Sequence, residues 1–254
     1  MIGISEAQIL AWLNPLLWPF LRCLALLSAM PLFNQRAVAL PVRVGLSLFF
    51  AVAAQPGLPE MPVLPLDSLG LLLPLVAQQL VIGIAMGFAV RLVFAAMEFG
   101  GEIIGLQMGL NFAGFFDPGT GAQGTATARF FGTLVAFVFI AGGGHLLLIQ
   151  ALAQSFHAFP VGAEPFAFLR AAQPQVWGAE IFQAGLWVAL PLITLLLFVN
   201  LSLGVVSRVA PQLNVFAVGF PLTVSVGLLG LAATLPLMET PLQAVLQRLL
   251  SGFT

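Results

Sequence analysis

The residues of this chain that could do chemistry are few, and their spacing argues against catalysis. His145 follows a run of three glycines and His157 follows Gln154-Ser155-Phe156. No carboxylate or cysteine stands at metal-ligand spacing from either histidine. Ser155 and His157 are near neighbours along the chain instead of opposed groups, and no oxyanion motif accompanies them. The stretch "GTGAQGTAT" (119–127) is glycine-rich but lacks the lysine of a phosphate-binding loop. A histidine near a helix end is ordinarily a hydrogen-bonded structural group. We therefore expect no enzyme, no metal and no cofactor.

The sharper signal is charge inside apolar sequence. An ionised side chain at mid-bilayer costs on the order of 3 kcal/mol on insertion scales, so such residues pair or face a cavity. If 91–110 is one helix at about 100° per residue, Arg91, Glu98 and Glu102 fall within roughly 40° of one another. Gly101, Gly105 and Gly109 border them, as small residues at every fourth position do where helices approach closely. Leu92, Phe99, Ile103, Leu106 and Leu110 take another side. Two readings stay open for the acids: hydrogen-bonded glue between helices, the commoner case, or groups that couple protons or bind a cation.

These residues must be positioned by an unusually apolar scaffold. The chain has 254 residues, of which 60% are hydrophobic and only 7% charged. An average soluble domain carries roughly 25% charged residues. Lipid or other apolar proteins must therefore solvate it. Net charge is −1 and all eight cations are arginine, so nothing points to nucleic acid. The single Cys23 cannot form an internal disulfide.

A helix needs about 20 mainly apolar residues to cross a bilayer. Candidates lie near 10–30, 38–55, 69–97, 129–152, 176–206 and 215–238. A seventh apolar stretch, 98–116, is interrupted by acids. No alternation of barrel strands appears. The fold class is expected to be all-α, a single domain of kinked hydrophobic helices and helical hairpins. Kinks are expected at Pro15, Pro19, Pro31, Pro41, Pro74, Pro191 and Pro221. Ser5 as cap with Gln8 reaching back reads as a helix start, and the missing positive region argues against a cleavable signal. Loops are expected at 54–68, 118–127 and 160–168. Leu242, Val245, Leu246, Leu249 and Leu250 make residues 240–252 a short amphipathic helix lying on a membrane or a partner, with Thr240 as cap and Pro241 as first residue. Arg36 and Arg43 against Glu60 and Asp67 give only a weak orientation signal.

The seventh stretch runs into a loop of turn formers and aromatics: Asn111, Phe112, Gly114, Phe115, Phe116, Asp117, Pro118, Gly119 and Gly121. Three phenylalanines from 112 to 116, with Met108, are a poor choice for water and should be covered. Here "GGEIIGLQMGLNFAGFFDPGTG" (100–121) closely resembles the central motif of the FliR family, export-gate membrane proteins of flagellar type III secretion. "SRVAPQLNVFAVGFPLTVSVG" (207–227) resembles the family's second signature, with Arg208, Pro211, Gln212, Asn214, Phe216 and Pro221 in it. "FLRCLALLSAMPLFNQRAVALPVRVGLSL" (20–48) and "GGHLLLIQALAQSFHAFPVG" (143–162) are similar to the N-terminal and histidine-to-proline segments. The "PQLNVF" core is shared with the related injectisome SctT family, whereas "AVGFPL" looks flagellar.

The resemblance implies a subunit that joins FliP-like and FliQ-like chains in a closed conical pore of the inner membrane and flagellar basal body. Part of that assembly stands above the membrane plane on the periplasmic side. The N-terminal part is implied to be FliP-like and the C-terminal hairpin FliQ-like. FlhB-like and FlhA-like export proteins, rod proteins and membrane lipid are the implied neighbours, and unfolded flagellar subunits the cargo. The loop after the 100–110 segment is implied to be a lumenal plug, with Gly114, Gly119 and Gly121 letting it fold and Met108, Phe112, Phe115 and Phe116 supplying the seal. A polytopic small-solute or ion transporter using Glu98 and Glu102, and a purely structural rod scaffold, are the competing readings. A transporter should show inverted repeats, and none is visible.

Overall fold

The computed structural model describes residues 6–35, 38–62, 69–110, 126–162, 174–212 and 215–253. Among these the chain is all-α, with no strand. The helices are α1 (Glu6–Ala29), α2 (Leu40–Ala54), α3 (Leu69–Met108), α4 (Ala126–Ala141), α5 (Gly144–Ala158), α6 (Pro174–Val209), α7 (Val215–Thr234) and α8 (Glu239–Leu250). Single 3-10 turns follow α2, α7 and α8. The Ser5 cap, Arg36, Asp67 and the loop residues 111–125 lie outside the described residues, as do Leu213 and Asn214.

Helix α3 joins what the sequence divides. Residues 69–97 and 98–108 form one continuous helix of 40 residues. Glu98 and Glu102 do not break it, because a long acidic side chain is a good helix former wherever it can reach the surface. At 1.5 Å per residue the helix is about 60 Å long, twice the roughly 30 Å of a bilayer's hydrocarbon core. Its end is explicit. Gly109 takes a left-handed φ of 77°. Its N–H donates to the carbonyl of Leu106 (3.1 Å), and the Leu110 N–H donates to that of Gly105 (3.0 Å). That double closure needs a residue without a Cβ. Gly109 is thus a helix terminator.

The expected span 129–152 is two helices. Helices α4 and α5 meet at Gly142–Gly143 with a bend of 68°. Gly143 has φ 74°, and the Gly142 N–H donates to Val138 O at 2.8 Å. Three successive glycines supply too little side-chain packing to hold a helix straight. Prolines divide by position. Pro15, Pro19, Pro74, Pro191 and Pro221 sit inside helices. Pro41 instead occupies the first turn of α2, where its missing N–H is no loss, and Pro31 lies in the turn after α1. Helix α8 starts one residue before the expected cap, at Glu239, with Pro241 in its first turn. Its apolar residues Leu242, Leu246, Leu249 and Leu250 are buried by this chain itself.

Among the described residues four helices are long and apolar enough to cross a membrane, or five if the bent pair counts as one span. Leu13–Ala29 of α1, within the first expected span, is a shorter apolar helical stretch. Burial separates the spans. The most apolar window of α3 is 61% buried, whereas those of α2 and α6 are each 17% buried and that of α7 22%. Its own chain covers far more of α3 than of the other spans.

The chain divides into two compact units that do not follow chain order: Met1–Arg91, Gly144–Trp177 and Leu246–Thr254 in one, Leu92–Gly143 and Gly178–Val245 in the other. In the first, α1 packs on α2 and on the N-terminal half of α3, where Gly83 and Gly87 bring the two backbones together. Trp18, Leu26, Met30, Ile82, Met86 and Phe156 fill its core. Phe253 is also buried and lies 5.9 Å from the Trp177 ring. In the second, Gly100 of α3 faces the carbonyl of Gly185 in α6, 2.8 Å from where a Cβ would stand. Gly101 lies against the Phe131 ring of α4, and Phe94 against Phe139.

Candidate functional site

The most developed polar site is one that sequence reasoning did not single out. Arg22, in the middle of apolar α1, is completely buried. Its Nε donates to Gln79 Oε1 at 2.8 Å, Nη1 to Ser155 Oγ at 2.9 Å and Nη2 to the Phe159 carbonyl at 3.0 Å. Its Cζ lies over the Phe156 ring, 3.7 Å from the centroid. The Ser155 hydroxyl donates a hydrogen bond to Leu152 O at 2.7 Å, which leaves its oxygen lone pairs for the arginine. Gln79 Nε2 donates to Gln78 Oε1 (3.1 Å), and Gln78 Nε2 to Pro160 O (3.2 Å). The Gly162 N–H also donates to Gln78 Oε1 at 3.4 Å. Every donor and acceptor in this chain has one orientation, set by the cation that starts it.

No carboxylate is among these partners in the described residues. The positive charge is balanced by carbonyl dipoles, an aromatic face and the negative end of α5, just past which the Phe159 carbonyl lies. An arginine rather than a lysine suits this place, since its flat fork reaches three separated acceptors while stacking on a ring. Two of the stretches that carry the family resemblance, 20–48 and 143–162, are joined here. His145 and His157 are exposed and outside it.

The second arrangement lies at the end of α3, just before residues 111–125. Met108 is buried, its side chain against Gly227 of α7. The Thr223 hydroxyl is 3.2 Å from the Met108 carbonyl and 3.0 Å from that of Phe220. Asn200 of α6 donates from Nδ2 to the Gln107 carbonyl at 3.2 Å. The helix end leading into 111–125 is therefore clamped by α6 and α7. Asn200, Thr223 and Gly227 were not singled out in the sequence; a polar residue within a long apolar run was the available signal.

The other residues named from the sequence fall as follows. Gly101 and Gly105 are buried, Glu102 is half-buried, and Arg91 and Glu98 are exposed on the single chain. Glu98 Oε1 lies 2.7 Å from where a Cβ of Gly132 would stand, so this acid sits over α4 at its glycine. Arg208 is in the last turn of α6 and exposed, with Pro211 and Gln212 in the turn that follows. Pro221 is exposed within α7. Asn214 and the Phe216 side chain lie outside the described residues, as do Asn111, Phe112, Gly114, Phe115, Phe116, Asp117, Pro118, Gly119 and Gly121. No group of three metal-capable side chains occurs among the described residues.

Comparison with known proteins identifies the family. The family described as "Bacterial export proteins, family 1" matches residues 13–249. The chain is 44% identical over 243 residues to the flagellar biosynthetic protein FliR of Escherichia coli (strain K12), covering 94% of this chain and 90% of that one. It is 33% identical over 214 residues to the flagellar biosynthetic protein FliR of Bacillus subtilis (strain 168), covering 82% and 80%. With the protein of that name from Aquifex aeolicus (strain VF5) it shares 33% over 227 residues, 89% and 87% of the two chains. From α1 to α8, then, this chain belongs to bacterial export protein family 1, the family of the flagellar biosynthetic FliR proteins.

Proposed function

We propose that this chain is a non-enzymatic membrane subunit of the flagellar type III protein-export channel, assembled with FliP-like and FliQ-like chains and served by FlhB-like and FlhA-like proteins. Unfolded flagellar subunits are its cargo, and the bacterial inner membrane at the basal body is its place. The observation that carries this reading is the identity with FliR proteins over nearly the whole chain. Two structural features support it. Only about a fifth of the residues in the span windows of α2, α6 and α7 are buried by their own chain. Helix α3, at about 60 Å, also outruns a bilayer, which suits an assembly standing partly above the membrane on the periplasmic side. Extraction in mild detergent is expected to recover the chain with FliP- and FliQ-like partners, identified by mass spectrometry. Recovery of the chain alone would overturn the reading.

Residues 111–124 form the plug in this proposal, with Phe112, Phe115 and Phe116 closing the lumen. Buried Met108 anchors the base of the loop. Deleting 115–121 is expected to leave the complex assembled, because the clamp at Gln107 and Met108 is untouched, but to make cells leak ions and small dyes. A deletion complex as tight as wild type, with unchanged export, would remove the gate role.

Glu98 and Glu102 act as packing groups, not proton carriers. The position of Glu98 over Gly132 supports this. An isosteric amide keeps the shape and much of the hydrogen bonding. Glu98→Gln and Glu102→Gln are therefore expected to retain assembly and motility, within about twofold in swarm diameter. Normal assembly with abolished export would favour proton coupling instead. The turn from Arg208 to Phe216, with Pro211, Gln212 and Asn214, serves as a contact for a FliQ- or FlhB-like neighbour, Pro221 lying just beyond it in α7.

A further inference from the structure

The bend between α4 and α5 has a feature that the export reading leaves unused. A groove of about 270 Å³ opens beside it, lined by Val138, Ala141, Gly142, Leu235, Pro236 and Glu239. Its walls are apolar and its polar groups are acceptors. Gln243 Nε2 donates to the Gly142 carbonyl at 2.7 Å and lies 3.3 Å from Glu239 Oε1. This draws the Glu239 carboxylate against the carbonyl end of α4. A Cβ at Gly142 would stand 2.8 Å from that amide nitrogen and 3.1 Å from the carboxylate oxygen, so a larger residue there would displace these two side chains. The C-terminal end of a helix carries partial negative charge. The N-terminal end of α8 favours the Glu239 carboxylate, and the groove sets that full negative charge beside the partial one at the end of α4; no cationic side chain lines it among the described residues.

We infer that this groove receives an arginine or lysine side chain of a neighbouring subunit, its aliphatic stem on Val138, Leu235 and Pro236 and its cation on Glu239. The inference rests on the reading that the chain works inside a multi-subunit assembly. Charge complementarity selects the occupant. A lipid amine such as ethanolamine brings a phosphate beside its cation, and Glu239 and the α4 carbonyls would repel it. A protein side chain brings the cation alone on an apolar stem, which matches walls and floor together. The exposed Leu237 and Ile140 at the rim offer apolar surface around such a contact.

The test places a benzophenone amino acid at exposed Leu237 in the full chain, expressed with its partner subunits. After irradiation in the membrane and purification, the cross-linked peptide is sequenced. A cross-link to another subunit, within a few residues of an arginine or lysine, is expected. Glu239→Gln should reduce its yield about tenfold, and Glu239→Asp should keep it within about twofold. Subunits that co-purify normally but give a yield indifferent to Glu239→Gln, or a cross-link to lipid, would overturn the groove's occupant while leaving the export reading intact. Recovery of this chain without other subunits would overturn both.

Discussion

Replacing Arg22 with alanine is expected to abolish recovery of the folded protein. The change leaves Gln79 Oε1, Ser155 Oγ and the Phe159 carbonyl without the donor each now has. It also empties a fully buried volume against Phe156. Each abandoned buried acceptor costs about 1–3 kcal/mol and the cavity adds to that, so the total is on the order of 5 kcal/mol or more. That rivals the whole stability of a typical domain. Lysine should be intermediate, because one ammonium cannot span three separated acceptors or stack on the ring. The measurement is the yield and thermal midpoint of the monodisperse protein in detergent, for wild type, lysine and alanine. An alanine variant melting with wild type would mean that the network contributes nothing.

The second large effect is expected where α1 and α3 touch. A Cβ at Gly83 would collide with the Arg22 carbonyl oxygen and the Ala25 Cβ. One at Gly87 would stand 2.5 Å from the Leu26 carbonyl oxygen and 2.7 Å from the Ala29 Cβ. These neighbours are backbone and methyl groups of a packed helix, which cannot swing aside. Gly87→Ala must therefore push the helices apart, and overpacking of this kind costs about 1–3 kcal/mol, with leucine beyond repair. Gly70, in the same helix, has nothing within 4 Å of its would-be Cβ. Gly70→Ala should be neutral or stabilise by up to about 1 kcal/mol through helix propensity. Gly87→Ala is thus expected to lower the thermal midpoint and Gly70→Ala to hold or raise it. Equal midpoints would show that the close approach is not constraining.

Helix identity was legible because apolar run length is a local property. Residues 40–54, 174–209 and 215–234 emerge almost as the hydropathy places them, and the leucine spacing of α8 was correct about its buried side. The errors are where local signs mislead. Acids at 98 and 102 look like an interruption but stand on an accessible face of a continuous helix. The three glycines at 142–144 sit inside an apolar run long enough to hide a 68° bend. Arg22, Gln79 and Ser155 were visible only as polar residues in apolar helices. Arg22 is 57 positions from Gln79 and 133 from Ser155. No spacing rule reaches that far. The family resemblance found the stretches that meet there without saying that they meet.

The order in which the chain is made runs against the order in which it can be finished. The unit that holds α1 also needs residues 144–177 and 246–254. Arg22 emerges 137 residues before Phe159, the last of its direct partners. Domains usually mature from the N-terminus as synthesis proceeds. Here the first helix must wait, its cation met by Gln79 alone, until α5 and the Phe159 carbonyl have been translated. The Trp177–Phe253 contact closes later still. The vulnerable interval in this protein's life is therefore its synthesis, and a ribosome pausing before residue 160 would hold it in that interval.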